Sequence, residues 1–130
     1  MSSVLLDTHV VHWWSAEPEK LSRAAAHKIA SARELAVSAV TWYELAWLAK
    51  HGRIDLGMPA RTWLEEISRE VRTASITAAI ADTAVALPAA FPGDPADRII
   101  YATAIENGWT LITKDRALRG HHFSREITLW

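Results

Sequence analysis

The chain has 130 residues, of which 50% are hydrophobic and 22% are charged, and its formal net charge is −1. This length and composition predict one globular domain, residues 1–130, and the near-neutral charge argues against a long nucleic-acid footprint. The absence of cysteine excludes disulfides and thiolate metal sites. No apolar run reaches the roughly 18 residues needed to span a bilayer, and no signal peptide is evident. We therefore expect a cytoplasmic protein without membrane association.

The first half of the chain alternates apolar strands with helices. In chain order, the pattern predicts a strand at 3–6, helices at 8–14 and 22–32, a strand at 35–38, a helix at 41–51 and a helix after Pro59. Pro18 breaks the first helix and Gly52 ends the third. The helix after Pro59 has the clearest amphipathic spacing, because its apolar side chains recur at helical intervals with charges opposite.

The second half continues the same alternation. It predicts a strand at 73–76, a helix at 77–87, a helix at 94–107, a strand at 109–113, a helical turn at 115–118 and an edge strand at 127–129. Strands that alternate with helices favour an α/β fold with a parallel sheet.

Acidic side chains stand where predicted strands end or helices begin. Asp7 ends the first strand, Asp115 follows the fourth, and Asp97 and Glu44 lie early in helices. Because the carboxyl ends of parallel strands meet at one crevice, we expect these four carboxylates to converge. Close carboxylates repel one another and raise each other's pKa values, and a divalent cation relieves this repulsion. Magnesium and manganese prefer oxygen ligands, so the pattern predicts a metal-dependent phosphoester enzyme.

Each acid also has a structural interpretation. Asp7 and Asp115 are placed to cap helices, and Asp94 is an ideal cap for a helix in which Asp97 takes the capping-box position. Glu44 lies in a helix that is apolar almost all round, so its carboxylate needs a partner, either a metal or an arginine.

Polar neighbours of these acids have predicted roles as well. Thr113 and Thr8 offer hydroxyls to the site. Arg98 is expected to pair with a nearby acid rather than to meet a substrate phosphate. Strand alternation predicts that Lys114 points away from the site. The basic stretch 114–125 is either a solvated loop or a patch that contacts phosphate.

Five tryptophans supply a large apolar area for so small a chain: Trp13, Trp14, Trp42, Trp47 and Trp63. Core packing is expected for two or three of them, and tryptophan is also enriched at interfaces. The apolar helix at 41–51 is accordingly either fully buried or covered on one face by another chain.

Four segments of the chain, taken together, form a family pattern. They are Leu5-Leu6-Asp7-Thr8-His9, residues 37–46, Asp94-Pro95-Ala96-Asp97-Arg98 with the residues up to 104, and Leu111-Ile112-Thr113-Lys114-Asp115. In this order they resemble the PIN-domain ribonucleases, and among these the VapC-type toxins of toxin–antitoxin pairs. The resemblance implies a three-layer α/β/α sandwich around a mainly parallel sheet of four or five strands.

The resemblance also implies a site and an activity. Asp7, Glu44, Asp97 and Asp115 would bind magnesium or manganese, with Thr113 as the accessory hydroxyl. The implied activity is endoribonucleolytic cleavage of RNA phosphodiester bonds. The implied partners are a VapB-like antitoxin, whose tail fills the groove beside the active site, and a second copy of the chain in a homodimer.

Two other classes of protein stay open at this point. A phosphoaspartate protein, either a receiver domain or a phosphatase, also places an aspartate at a strand end. Such a phosphatase needs a second aspartate two residues after Asp7, where this chain has His9. A PIN-like module without catalytic activity would keep the fold and only bind a partner.

Overall fold

The computed structural model describes residues 3–120 and 127–130. Five strands form one sheet in the order β3-β2-β1-β4-β5, and all four neighbouring pairs are parallel. The strands are β1 (Ser3–Leu6), β2 (Glu34–Ser38), β3 (Arg72–Ala74), β4 (Thr110–Ile112) and β5 (Thr128–Leu129). The predicted parallel sheet is confirmed, with β1 at its centre.

Helices cover both faces of this sheet. They are α1 (Thr8–Ala16), α2 (Arg23–Ser31), α3 (Ala39–Lys50), α4 (Ala60–Ser68), α5 (Ala78–Ala86), α6 (Pro95–Asn107) and α7 (Arg116–Arg119), with a 3₁₀ turn at Pro18–Lys20. The three-layer α/β/α sandwich is therefore confirmed. In the described part of the chain, no helix is both long and apolar enough to cross a membrane.

Successive residues of the central strand contribute to two separate apolar cores. Val4 and Leu6 pack with side chains of α1, α2 and α4, whereas Leu5 packs with Ile100 and Tyr101 of α6. Because both faces of the central strands are buried, these strands are continuous apolar runs rather than alternating ones. The carboxyl ends of β1 and β4 are thereby held side by side.

Two predicted elements end earlier in the structure than the sequence pattern indicates. The third strand, predicted at 73–76, ends at Ala74, because Ile76 is exposed and the Thr77 hydroxyl accepts the Ile80 N–H to start α5. The helix after Pro59 ends at Ser68, although its apolar spacing continues to Val71.

The tryptophans divide between core and surface. Trp63 is buried, Trp13, Trp14 and Trp42 are partly buried against the same core, and Trp47 is 42% exposed. Tyr43, one turn before Trp47 on α3, is 71% exposed. Full burial of the apolar helix is therefore wrong, and α3 presents aromatic side chains to solvent.

Arg98 of α6 forms no ion pair with an acid among the described residues, where it binds backbone carbonyls instead of the expected acid. Its guanidinium donates hydrogen bonds to five backbone carbonyls at the end of α5 and in the following loop: Ala84, Leu87, Pro88, Phe91 and Pro92. The planar fork of five N–H donors suits this role. Arg98 thus fixes the loop that leads into the first turn of α6.

We expect Arg98→Lys to lower the free energy of unfolding by about 2 kcal/mol, because a lysine ammonium cannot satisfy all these carbonyls at once. Urea denaturation is the measurement, and Arg61→Lys on the exposed face of α4 is the matched control. Equal stability of the two variants would show that the loop does not depend on the guanidinium.

Candidate functional site

An open cleft of about 940 Å³ lies at the carboxyl ends of the strands. The backbone N–H of Asp7 donates to the Ile112 carbonyl at 3.0 Å, which holds the ends of β1 and β4 together. The side chains lining the cleft include all four predicted acids: Asp7, Glu44, Asp97 and Asp115. The expected convergence on one crevice is therefore observed.

Asp7 connects the two central strands through its side chain. Its Oδ1 accepts the Thr8 backbone N–H at 2.8 Å, and its Oδ2 accepts the Thr113 hydroxyl at 2.7 Å. Burial raises the pKa of the Asp7 carboxyl, and both hydrogen bonds and the nearby His9 oppose this rise. Asp7 also caps α1, so its structural and functional interpretations hold together.

Thr113 links two of the acids. Its side chain is fully buried, and besides donating to Asp7, its Oγ1 accepts the backbone N–H of Asp115 at 3.0 Å. Asp115 in turn accepts the Ala117 N–H at 2.8 Å and caps α7. The predicted helix-cap role of Asp115 is therefore observed at the rim of the cleft.

Glu44 is held by Thr8 rather than by an arginine. The Thr8 hydroxyl donates to Glu44 Oε1 and lies 3.1 Å from the Thr41 hydroxyl, which connects α1 with α3. Burial raises the pKa of Glu44, and repulsion from Asp94 and Asp7 adds to this effect. A part-buried carboxylate with a raised pKa favours a proton or a cation beside it.

Asp97 is part-buried and lies near four other acids. Burial first, and then repulsion from Asp94, Asp7, Asp115 and Glu44, together raise its pKa from 3.8 to about 7. Asp94 caps α6 by accepting the Ala96 N–H at 2.9 Å, as the sequence predicts. Among the described residues, the ion pairs involve Glu17 and Glu34, and none involves an acid of the cleft.

Oxygen donors without basic partners are the ligand chemistry that magnesium and manganese prefer. These side chains are not close enough together to form a complete metal site. Within residues 3–120 and 127–130, no three acidic or histidine side chains are grouped so as to hold a metal ion. The carboxylates share a cleft without forming a ready-made coordination shell. Metal binding by Asp7, Glu44, Asp97 and Asp115 stays a prediction.

Sequence reasoning missed several cleft residues. Trp13, Tyr43, Trp47 and Lys114 all line the cleft. The expected outward direction of Lys114 is wrong, because β4 ends at Ile112 and the hydrogen bond between Thr113 and Asp115 turns the chain. A threonine two residues before an aspartate is a turn signal that could have indicated this. The rest of the predicted basic stretch, from 121 to 125, lies outside the described residues.

Asp97 provides a pH test of stability in metal-free protein. Between its usual pKa of 3.8 and the folded value of about 7, the folded state holds a proton that the unfolded chain has released. The stability from this group therefore falls as the pH rises through that window. We expect Asp97→Asn to raise the free energy of unfolding at about pH 8 and to change it little at about pH 4.

Urea denaturation in EDTA measures this difference. Asp82→Asn, an exposed change on α5, is the control and should behave alike at both pH values. If Asp97→Asn gave no greater gain at the higher pH, burial and repulsion would not raise the pKa of Asp97 in the folded protein.

Comparison with known proteins shows the family to which the chain belongs. The PIN domain family model matches residues 4–122. The chain is 59% identical over 130 residues to Ribonuclease VapC22 of Mycobacterium tuberculosis, and the match covers 100% of both chains.

Solved structures agree in fold. A toxin–antitoxin complex from Klebsiella pneumoniae matches with a TM-score of 0.62 and 24% identity over 86% of each chain. VapBC-1 from nontypeable Haemophilus influenzae matches with a TM-score of 0.65 and 18% identity over 87% of each chain. At these identities the likeness concerns the fold alone. The family match and the full-length relative go further: the chain belongs to the PIN-domain family and is a VapC-type member of it.

Proposed function

We propose that the protein is a metal-dependent endoribonuclease that hydrolyses RNA phosphodiester bonds as the toxin of a toxin–antitoxin pair. The observation that carries this proposal is that four carboxylates line one cleft at the carboxyl ends of the strands, with no basic ion-pair partner among the described residues. The full-length relative named as a ribonuclease supports the same activity.

The four acids would hold one or two ions of magnesium or manganese. Such an ion, when bound, lowers the pKa of a water and offsets charge on the phosphoryl oxygens. In the proposed hydrolysis, the water oxygen bonds to phosphorus and the 3′ oxygen leaves with a proton, which gives a 5′-phosphate and a 3′-hydroxyl. Asp97, with a pKa of about 7, is able to give up its proton near neutral pH when positive charge arrives.

Two threonine hydroxyls orient the carboxylates for this role. Thr113 donates to Asp7 at 2.7 Å, and Thr8 donates to Glu44. A hydrogen bond on one carboxylate oxygen fixes the direction of the other, and such supporting contacts tune metal sites in general. Thr113 and Thr8 are therefore accessory residues in the proposal.

The proposed substrate is single-stranded or looped RNA. An A-form duplex presents its base edges poorly, whereas splayed nucleotides enter a cleft and stack on aromatic side chains. The cleft is open and includes the aromatic side chains Trp13, Tyr43 and Trp47. This combination suits a flexible strand better than a rigid helix.

An antitoxin and a second copy of the chain are the proposed protein partners. The neighbour from Klebsiella pneumoniae is described as a toxin–antitoxin complex. The exposed Tyr43 and Trp47 at the cleft provide an apolar surface of the kind that a partner covers. Homodimer formation and a cytoplasmic location stay predictions.

We expect magnesium or manganese to raise the melting temperature of the wild-type protein and to activate cleavage of single-stranded RNA. Asp7→Asn should abolish both effects, because it removes a carboxylate charge from the bottom of the cleft. The measurements are thermal unfolding with each metal or EDTA and gel analysis of cleaved RNA. Asp82→Asn on α5 is the charge-matched control.

These measurements separate the nuclease from the alternative of a PIN-like binding module. Metal stabilisation without RNA cleavage would favour the binding module. A melting temperature that neither metal changes would contradict the proposed metal site. Growth arrest on induced expression of the wild type, but not of Asp7→Asn at equal protein level, would support the toxin role.

We expect Thr113→Val to slow RNA cleavage about 10- to 100-fold, the usual cost of losing a hydrogen bond behind a metal ligand. Thr113→Ser should restore most of the rate, because serine keeps the hydroxyl that donates to Asp7. Initial rates at saturating metal are the measurement. Equal rates for the valine and serine variants would remove Thr113 from the proposed site.

A further inference from the structure

A lysine lies among the acids of the cleft. Lys114 is the one lysine or arginine among the described residues that line it, beside His9 and five acids: Asp7, Glu44, Asp94, Asp97 and Asp115. A phosphodiester strand is itself an anion, and each divalent cation offsets two of the negative charges in the cleft. A further positive group would favour entry of the strand.

The backbone turn after β4 places Lys114 at the rim of the cleft. The Thr113 side chain points inward to Asp7, and the Asp115 N–H bonds back to the Thr113 hydroxyl. The Lys114 side chain therefore lies against α1, with its ammonium 5.8 Å from the ring centroid of Trp13. The Trp13 ring also contacts the rings of His9 and Trp130, with centroids 5.9 Å and 5.8 Å away.

The Lys114 ammonium is positioned without being neutralised. Although it neighbours Asp115 in the chain, it takes part in none of the ion pairs within the described residues. An aromatic face attracts a cation but accepts no full hydrogen bond, so the ammonium keeps its N–H donors for another ligand. Its exposure leaves it accessible to an anion in the cleft.

We propose that Lys114 binds a backbone phosphate of the RNA strand, next to the scissile phosphate, with Trp13 holding the lysine in place. The proposal rests on the nuclease function above and adds the residue that attracts the substrate into an acidic cleft. Lysine is a compact point charge with three donors, which suits a phosphate contact that does not depend on base identity. Trp13 is a positioning residue in this arrangement.

Cleavage of a short random-sequence single-stranded RNA in magnesium, measured over a range of KCl concentrations, tests the proposal. We expect Lys114→Met to raise KM about tenfold at low salt and to change kcat little. The slope of log(1/KM) against log salt should become shallower by about 0.7, the value for one phosphate contact on a single strand. Lys114→Arg should keep the slope, because it keeps the charge.

Lys28→Met on α2, which is not among the cleft residues, is the charge-matched control. Trp13→Leu should raise KM in the wild type but add little in Lys114→Met, because Trp13 acts through the lysine, and Trp13→Phe should restore KM. An equal effect of Trp13→Leu in both backgrounds would overturn the positioning role and leave Trp13 as a surface on which the RNA stacks. Wild-type cleavage with equal salt slopes for Lys114→Met and Lys28→Met would overturn the role of Lys114 and leave the nuclease function standing. A lower melting temperature of Lys114→Met with an unchanged slope would likewise make Lys114 structural. No cleavage by the wild type would overturn both proposals.

Discussion

The hydrogen bond from the Thr113 hydroxyl to Asp7 is the contact on which the site depends. It joins the ends of two adjacent strands that are 106 residues apart in the chain. The same hydroxyl accepts the Asp115 amide, so one buried side chain sets the position of two acids. Because the sheet beneath is covered on both faces, β1 and β4 cannot shift without disturbing both cores. The rigid sheet therefore fixes the positions of Asp7 and Asp115.

The remaining acids reach the cleft from helices, and their positions depend on different contacts. Glu44 is fixed by the Thr8 hydroxyl across α1 and α3. Asp97 follows the helix start that Asp94 and Pro95 create, and Arg98 next to it anchors the preceding loop through backbone carbonyls. The site therefore combines two strand ends with two helices. Burial in this cleft, together with repulsion from the neighbouring acids, raises the pKa of Asp97.

The parallel sheet and the positions of Asp7, Asp97 and Asp115 could be predicted from sequence because they depend on local rules: apolar runs, strand ends and helix starts. Glu44 could be predicted because a carboxylate in an apolar helix needs a partner. Arg98 and Lys114 could not, since a long flexible side chain takes its direction from contacts that form only in the folded protein. Arg98 donates to backbone carbonyls rather than to an acid. Lys114 lies in a turn rather than in a strand, so strand alternation does not give its direction. The distances between the carboxylates could not be predicted from sequence either, because they depend on how far two helices lie from the strand ends.

Helix capping by the acids has a consequence for how this chemistry can be lost. Asp7 and Asp115 each cap a helix, and loss of an N-cap residue costs about 0.5–2 kcal/mol, so a relative without catalytic activity would still be stabilised by them. Glu44 and Asp97 cap no helix in the described part of the chain, and burial and the neighbouring acids raise the pKa of Asp97. In a degenerate copy, these two positions would drift first. On the proposed site, loss of Glu44 or Asp97 in a relative would therefore indicate lost nuclease activity, whereas retention of the two aspartates that follow the strands would not show that activity is kept.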